Sequence, residues 1–460
     1  MGNEEAVTRS RLPPLLAGVL LLGIADSMIG PYLVLFGTDA ARLTPLQAGV
    51  FMSLIAASGL AVSTWLGRRF DRSNGRWPAL VAVAAPAAGY LALTTTTSYA
   101  LLLLIAAGLL GAGMAAFPQL FALARTHLDG RSGGGSRRGT PLLRSVWSLA
   151  WAIGPMIGAA VLAWQGYRGL LALTALAFAV VALPVLLLGP TPAPAPHPAA
   201  GGGGRRTGRT VLLAAGSFTM FHTAMLAGSV ALPLYVTRTL DLPDGDVGLL
   251  FSVCALVEIP AALALVLLPA RVRRRRMILA GMVVFVGYFA LVAASVNLPQ
   301  LVGTQVARGV AIAVVGALGI TLMQDLMPGA TGRATTMFAN TLTFGSLVSG
   351  VLGGGAVQAL GPRAALLLCG ALAAAGCVLL ALARQAHDAD PPEHDTGPPG
   401  GDADPPAGNG KAAADPAVIA ADPVAGAPDT AAGTAESTRP RPGTEAPPAR
   451  AGTRSRTRER

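Results

Sequence analysis

The segment Gln47-Ala-Gly-Val-Phe-Met-Ser-Leu54 returns, altered but recognisable, as Asp246-Val-Gly-Leu-Leu-Phe-Ser-Val253. Each copy opens an apolar run long enough to cross a bilayer. Gly166-Tyr-Arg168 matches Gly361-Pro-Arg363 in the same way, and Gln119 near the end of one run corresponds to Gln324 near the end of another. The matches keep nearly one offset. The chain therefore contains two parallel halves of similar design, an arrangement that membrane transporters use.

The rest of the sequence fits that frame. Of 460 residues, 53% are hydrophobic and 12% charged, about half the charge of an ordinary soluble domain. Apolar runs of about 20 residues recur near 13–37, 46–67, 77–97, 99–124, 141–164 and 167–189. A second set lies near 210–236, 246–268, 276–296, 299–323, 332–357 and 362–383. The alternating short segments of a β-barrel are absent. The reading is an all-α polytopic membrane protein with twelve transmembrane helices in two six-helix pseudo-symmetric halves, 13–189 and 210–383. Residues 1–12 form a short N-terminus and residues 190–209 a Pro/Ala/Gly-rich basic linker. Residues 384–460, poor in large apolar side chains, form a tail expected to be disordered.

The net charge of +11 does not indicate nucleic-acid binding, because the arginines lie between spans. Arg68, Arg69, Arg72, Arg76, Arg131, Arg137, Arg138, Arg205, Arg206, Arg209, Arg271 and Arg273 to Arg276 fall on one side. The other side holds little beyond Arg42, Arg168, Arg238 and Arg363. By the positive-inside rule both termini are expected to be cytoplasmic. The use of Arg almost to the exclusion of Lys (Lys411 alone), with abundant Ala and Gly, points to a GC-rich bacterium and so to a multi-pass protein expected in its inner membrane. Cys254, Cys369 and Cys377 lie in apolar runs without metal or redox spacing and read as small buried residues.

Two loops carry more specific patterns. Gly67-Arg-Arg-Phe-Asp71-Arg72-Ser-Asn-Gly75-Arg76 follows the second span. It is read as a glycine turn at a helix end followed by an Asp–Arg latch. In the second half, Gln324-Asp-Leu-Met-Pro-Gly329 is followed by Arg333-Ala-Thr-Thr336 and Asn340. Together Gly67, Asp71, Arg72, Arg76, Gln324, Asp325 and Arg333 make a cytoplasmic gate. Asp325 is expected to pair with Arg333 or to cap the next helix.

Two six-span repeats and the first loop resemble the major facilitator superfamily. Pro118-Gln-Leu-Phe-Ala-Leu-Ala-Arg125, Ser148-Leu-Ala-Trp-Ala-Ile-Gly-Pro155, Glu258-Ile-Pro260 and the Gln324–Asn340 stretch resemble the bacterial sugar efflux transporter family. The resemblance covers most of residues 13–383. It implies a secondary exporter of sugars or glycosides that works by alternating access with proton antiport. Asp26, His222, Ala231-Leu-Pro233 and the Gly-rich segment 130–140 depart from that family's pattern, which leaves substrate and coupling ion open.

Ionisable groups inside a span are costly and usually functional. Asp26, mid-way along the first span, can exchange a proton between the two faces or pair with a buried arginine. Glu258, just before Pro260, is a second proton site with family support. His222 can shuttle a proton or serve as a packing hydrogen bond. Arg144 can pair with Asp26, bind sugar hydroxyls or anchor its helix. Arg308 lies too deep for anchoring and needs a partner. Asp325, about 17 positions and ~25 Å along the same helix, is too far away. Sugars present polar edges and apolar C–H faces, so Gln119, Trp147, Trp151, Gln305, Asn340 and Thr343, with Gln324, are further binding candidates.

The chain shows no HExxH, no GxSxG and no Walker motif, so neither an enzyme nor an ATP-driven pump is indicated. No cofactor or metal is expected. The expected partners are a small sugar or glycoside, protons and the bilayer, with the protein acting as a monomer. A drug or natural-product exporter is the alternative function, and an uptake symporter comes third.

Overall fold

A backbone that crosses hydrocarbon must satisfy its own N–H and C=O groups, and a helix does so within one segment. The computed structural model describes residues 2–73, 76–129, 135–187, 208–266 and 273–383. Ten helical runs there are long and apolar enough to span a membrane, one of them a double crossing, and a shorter apolar helix completes twelve among the described residues. They are α1 (Pro13–Ala40), α2 (Pro45–Arg69), α3 (Trp77–Leu93), α4 (Tyr99–Phe121), α5 and α6 (145–165 and 167–187), α7 (Arg209–Arg238) and α8 (Asp244–Leu265). Then come α9 (Arg274–Ala294), α10 (Leu298–Leu326), α11 (Thr331–Leu360) and α12 (Pro362–Leu382). Most of the expected linker (188–207) and the tail 384–460 lie outside the described residues, as do the side chains of Asp71, Arg72 and Arg144.

Several boundaries differ from those read in the sequence. The helix of α1 begins at Gly2, that of α4 runs on to Asp129, and that of α5 begins at Gly135. Polar helix formers such as Glu4, Glu5 and Arg9 continue α1 past the bilayer edge, which hydropathy cannot see. Gly67 is helical, inside a helix that runs to Ser73, so it is no helix-end turn. Asp325 forms its ion pair with Arg274 of α9, at 2.6 Å, instead of Arg333. Those two side chains are 47% and 49% exposed. Arg274→Ala is therefore expected to change stability by less than about 1 kcal/mol, measured by thermal unfolding in detergent.

The internal repeat is visible in the backbone. Gly166 (φ 64°) joins α5 to α6, and Gly361 (φ 83°) joins α11 to α12. Both are left-handed positions that favour glycine. At the arginine-rich end each half is tied in the same way. Arg76, before α3, donates to Leu186 O of α6 at 2.8 Å. Arg275, in α9, donates to Leu380 O and Ala381 O of α12 at 3.0 and 2.7 Å. Each cation binds the free carbonyls at the end of the last helix of its half, where the helix dipole favours positive charge.

The halves meet at the arginine-poor end. α2 and α11 approach backbone to backbone: a Cβ added at Gly49 would fall on Gly350 O, and one at Gly354 on Pro45 O. Ser53 Oγ accepts from the N–H of Val351 (3.1 Å), and Gln358 Oε1 from that of Leu46 (3.2 Å). α5 and α8 close beside them, with Gly248 against Tyr32 and Pro155. Arg238 of α7 pairs with Asp39 of α1. The Tyr167 hydroxyl lies 3.1 Å from Asp39 Oδ2 and 2.8 Å from Asp244 Oδ2. A polar latch thus spans α1, α6, α7 and α8. Gly345, Gly350, Gly353 and Gly354 are packed against neighbouring helices, whereas Gly108 faces open space.

Candidate functional site

In the amino-terminal half, α4 and α5 build an aromatic wall. Phe117 and Phe121 sit one turn apart on α4 with ring centroids 4.2 Å apart. Trp147 of α5 lies 4.4 Å from Phe117, and Trp151 follows one turn on at 6.4 Å. The i, i+4 spacing places each pair on one helix face. Gln119 is 4% exposed. Its Oε1 and the Trp151 Nε1 are buried without hydrogen-bond partners. Gly23 of α1 packs against Trp147 and Ala150, and Ser27 Oγ donates to Ala150 O at 3.1 Å. Asp26 sits between them on α1, half-buried. Among the described residues no side chain bonds to its carboxylate, and its charge acts on Tyr90 of α3.

In the carboxyl-terminal half, Arg308 of α10 is 5% exposed. Its Nη2 donates to Ser229 Oγ of α7 (2.8 Å) and its Nη1 to Gln305 Oε1 (3.4 Å). Its Cζ lies 4.7 Å from the ring centroid of Phe251 and 5.9 Å from that of Tyr288. The partner that its depth demanded is thus a set of neutral groups. Glu258 of α8 is half-buried, and its charge acts on Arg308.

The remaining candidates are spread over other elements. His222 of α7 is buried, with Nδ1 2.9 Å from Thr341 Oγ1 of α11 and its ring edge-on to Phe221 and Phe338. The Thr341 hydroxyl also lies 2.6 Å from Phe338 O, an acceptor for its hydrogen. Gln324 donates to Thr335 Oγ1 at 3.0 Å and so ties α10 to α11. Asn340 is exposed on α11, and Thr343 is half-buried one turn further. The structure brings Trp147 and Trp151 together on one face beside Phe117, and separately Gln305 and Arg308, while Gln119 is buried two residues from Phe117 on α4. Sequence reasoning missed Phe117, Phe121, Ser229, Phe251, Tyr288 and the whole Asp39–Arg238–Tyr167–Asp244 latch. The Phe117/Phe121 spacing beside Gln119 was a usable signal for the first two. Nothing local marked the others.

Residues 210–424 match the Major Facilitator Superfamily profile. A Deinococcus radiodurans protein named for sugar efflux is 40% identical over 375 residues, covering 80% of this chain and 96% of that one. Sugar efflux transporter A of Dickeya chrysanthemi is 30% identical over 366 residues, 77% and 92% of the two chains. Among solved structures, the nucleoside transporter NupG superposes with a TM-score of 0.65 at 16% identity, covering 80% of this chain and 98% of that one. A bacterial homolog of the human lysosomal transporter Spinster, inward-facing and occupied, gives 0.63 at 14%, covering 81% and 96%. Two pseudo-symmetric six-helix halves, an interface between them closed at one end and 40% identity over 80% of this chain make the chain a member of the major facilitator superfamily and, within it, of the sugar efflux transporter family.

Proposed function

We propose that this transporter exports sugars or glycosides by alternating access in exchange for protons, with both termini in the cytoplasm. The observation that carries the substrate side is Trp151 Nε1, a buried donor without a partner at the end of the aromatic wall, with Gln119 Oε1 on α4 likewise buried without one. A buried acceptor and donor without partners destabilise the site until something fills them. A sugar hydroxyl donates and accepts at once, and the rings of Phe117, Phe121 and Trp147 offer faces for its C–H surface.

Asp26 is the first coupling group in this reading, a carboxylate within a span and beside the binding wall. Glu258 is the second. His222 carries less weight, since its ring is engaged by Thr341 and two phenylalanines. The Asp39–Arg238 and Tyr167–Asp244 contacts form the outer gate, and the arginine-rich end is the cytoplasmic one.

Inverted membrane vesicles test this. Labelled glucose and lactose are expected to accumulate when the lumen is acidified and to stop when the gradient is collapsed. Sugar movement that ignores the gradient removes antiport. Movement of a hydrophobic cation without any sugar shifts the function to drug export. Trp151→Phe keeps the ring and deletes the N–H. It is expected to raise the sugar KM about 2- to 12-fold, one hydrogen bond of ~0.5–1.5 kcal/mol. An unchanged KM takes Trp151 out of the site.

A further inference from the structure

A neutral sugar leaves the charge at the heart of the carboxyl-terminal half unexplained. Arg308 is nearly inaccessible, and its bonding partners Ser229 and Gln305 and its ring neighbours Phe251 and Tyr288 are all neutral. Among the described residues no carboxylate lies within ion-pair distance of it, although the charge of Glu258 reaches it. A guanidinium has five N–H donors in a planar fork, and two bonds leave most of that fork without an acceptor.

The group is also held in place. Gln305, its hydrogen-bond partner, is fully buried, and its own amide nitrogen is tied to Leu301 O (3.2 Å) and Thr304 Oγ1 (3.1 Å). Ser229 Oγ donates to Met225 O at 2.9 Å and so presents its lone pairs to Arg308. The rings of Phe251 and Tyr288 keep water from the cation. An aimed positive group without a contacting counter-charge, inside a membrane span, is a site that a ligand completes. α7 and α10 are the repeat counterparts of α1 and α4, which carry Asp26 and Gln119. The planar two-oxygen edge of a carboxylate matches the fork in two parallel bonds.

Resting on the sugar-export reading, we infer that Arg308 is an anion subsite and that the preferred substrate is a sugar acid whose carboxylate seats on it.

The test begins with the unaltered protein in inverted vesicles. Labelled glucuronate, its neutral methyl ester, glucose and glucose 6-phosphate are compared. Glucuronate is expected to be moved about 10- to 100-fold more efficiently than its ester, the range for a hydrogen bond to a charged group. Arg308→Gln is expected to lower the glucuronate-to-glucose ratio by a similar factor, and Arg308→Lys to restore part of it. Equal handling of acid and ester by the unaltered protein overturns the inference, as does a ratio that Arg308→Gln leaves unchanged. A stronger response to glucose 6-phosphate than to glucuronate overturns the carboxylate. If Arg308→Gln does not fold, the acid–ester comparison decides alone. Transport of glucose and the ester without glucuronate sinks this inference and leaves sugar export standing. Transport of a hydrophobic cation with no sugar at all sinks both.

Discussion

Gly49→Val is expected to stop sugar transport by preventing closure of the arginine-poor end. At Gly49 the backbones of α2 and α11 touch, so any side chain there displaces the carbonyl of Gly350. Rigid backbone on both sides leaves no flexible group to move aside. Overpacking of this kind costs about 1–3 kcal/mol, a shift of roughly 5- to 150-fold between open and closed populations. A transporter that must visit both states loses turnover in proportion. Ser53, which accepts from Val351 across the same seam, reports the opening. A cysteine introduced at position 53, in a background without Cys254, Cys369 and Cys377, should react faster with a membrane-impermeant maleimide when Gly49 is valine. Gly287→Val is the control, since its Cβ would meet nothing within 4 Å. Unchanged labelling and unchanged transport in Gly49→Val would falsify the seam as the closing surface.

The second large effect is expected at Asp26. Asp26→Asn keeps the volume and removes the charge that a proton can neutralise. The ratio of gradient-driven accumulation to sugar counterflow should fall about 5- to 150-fold, the usual range of a coupling free energy of ~1–3 kcal/mol. Counterflow requires only the binding site and the conformational cycle, so the ratio separates coupling from damage. Glu258→Gln is measured beside it. If the ratio holds in both variants, neither carboxylate carries the proton, and the exchange either uses another group or is not proton-coupled.

The polar groups that line up across the structure explain why some of the site was legible and some was not. Trp147 and Trp151 stand one turn apart on α5, so helix periodicity alone placed them on one face. Gln119 was noticed because an amide in an apolar run is conspicuous, and the structure leaves that same amide oxygen orphaned. Arg308 was recognised as too deep to anchor, but its partners Ser229, Phe251 and Tyr288 come from α7, α8 and α9. No spacing rule joins residues so far apart in the chain. The pairing of Asp325 with Arg274 in place of Arg333 has the same cause. Sequence proximity favoured Arg333, whereas the packing of α10 on α9 brought Arg274 closer.

The sequence by itself determined that this chain crosses a membrane repeatedly, that it does so in two similar halves and that its arginines crowd one side. Those properties are sums over long stretches: hydropathy over a bilayer thickness, charge between spans, and a repeat offset. They do not depend on which helix touches which. Only the tertiary structure decided where the halves seal, with Gly49 on Gly350 and Asp39 on Arg238, and which neutral groups surround Arg308. A contact between helices is set by the packing of all twelve at once, and short-range pattern carries no record of it.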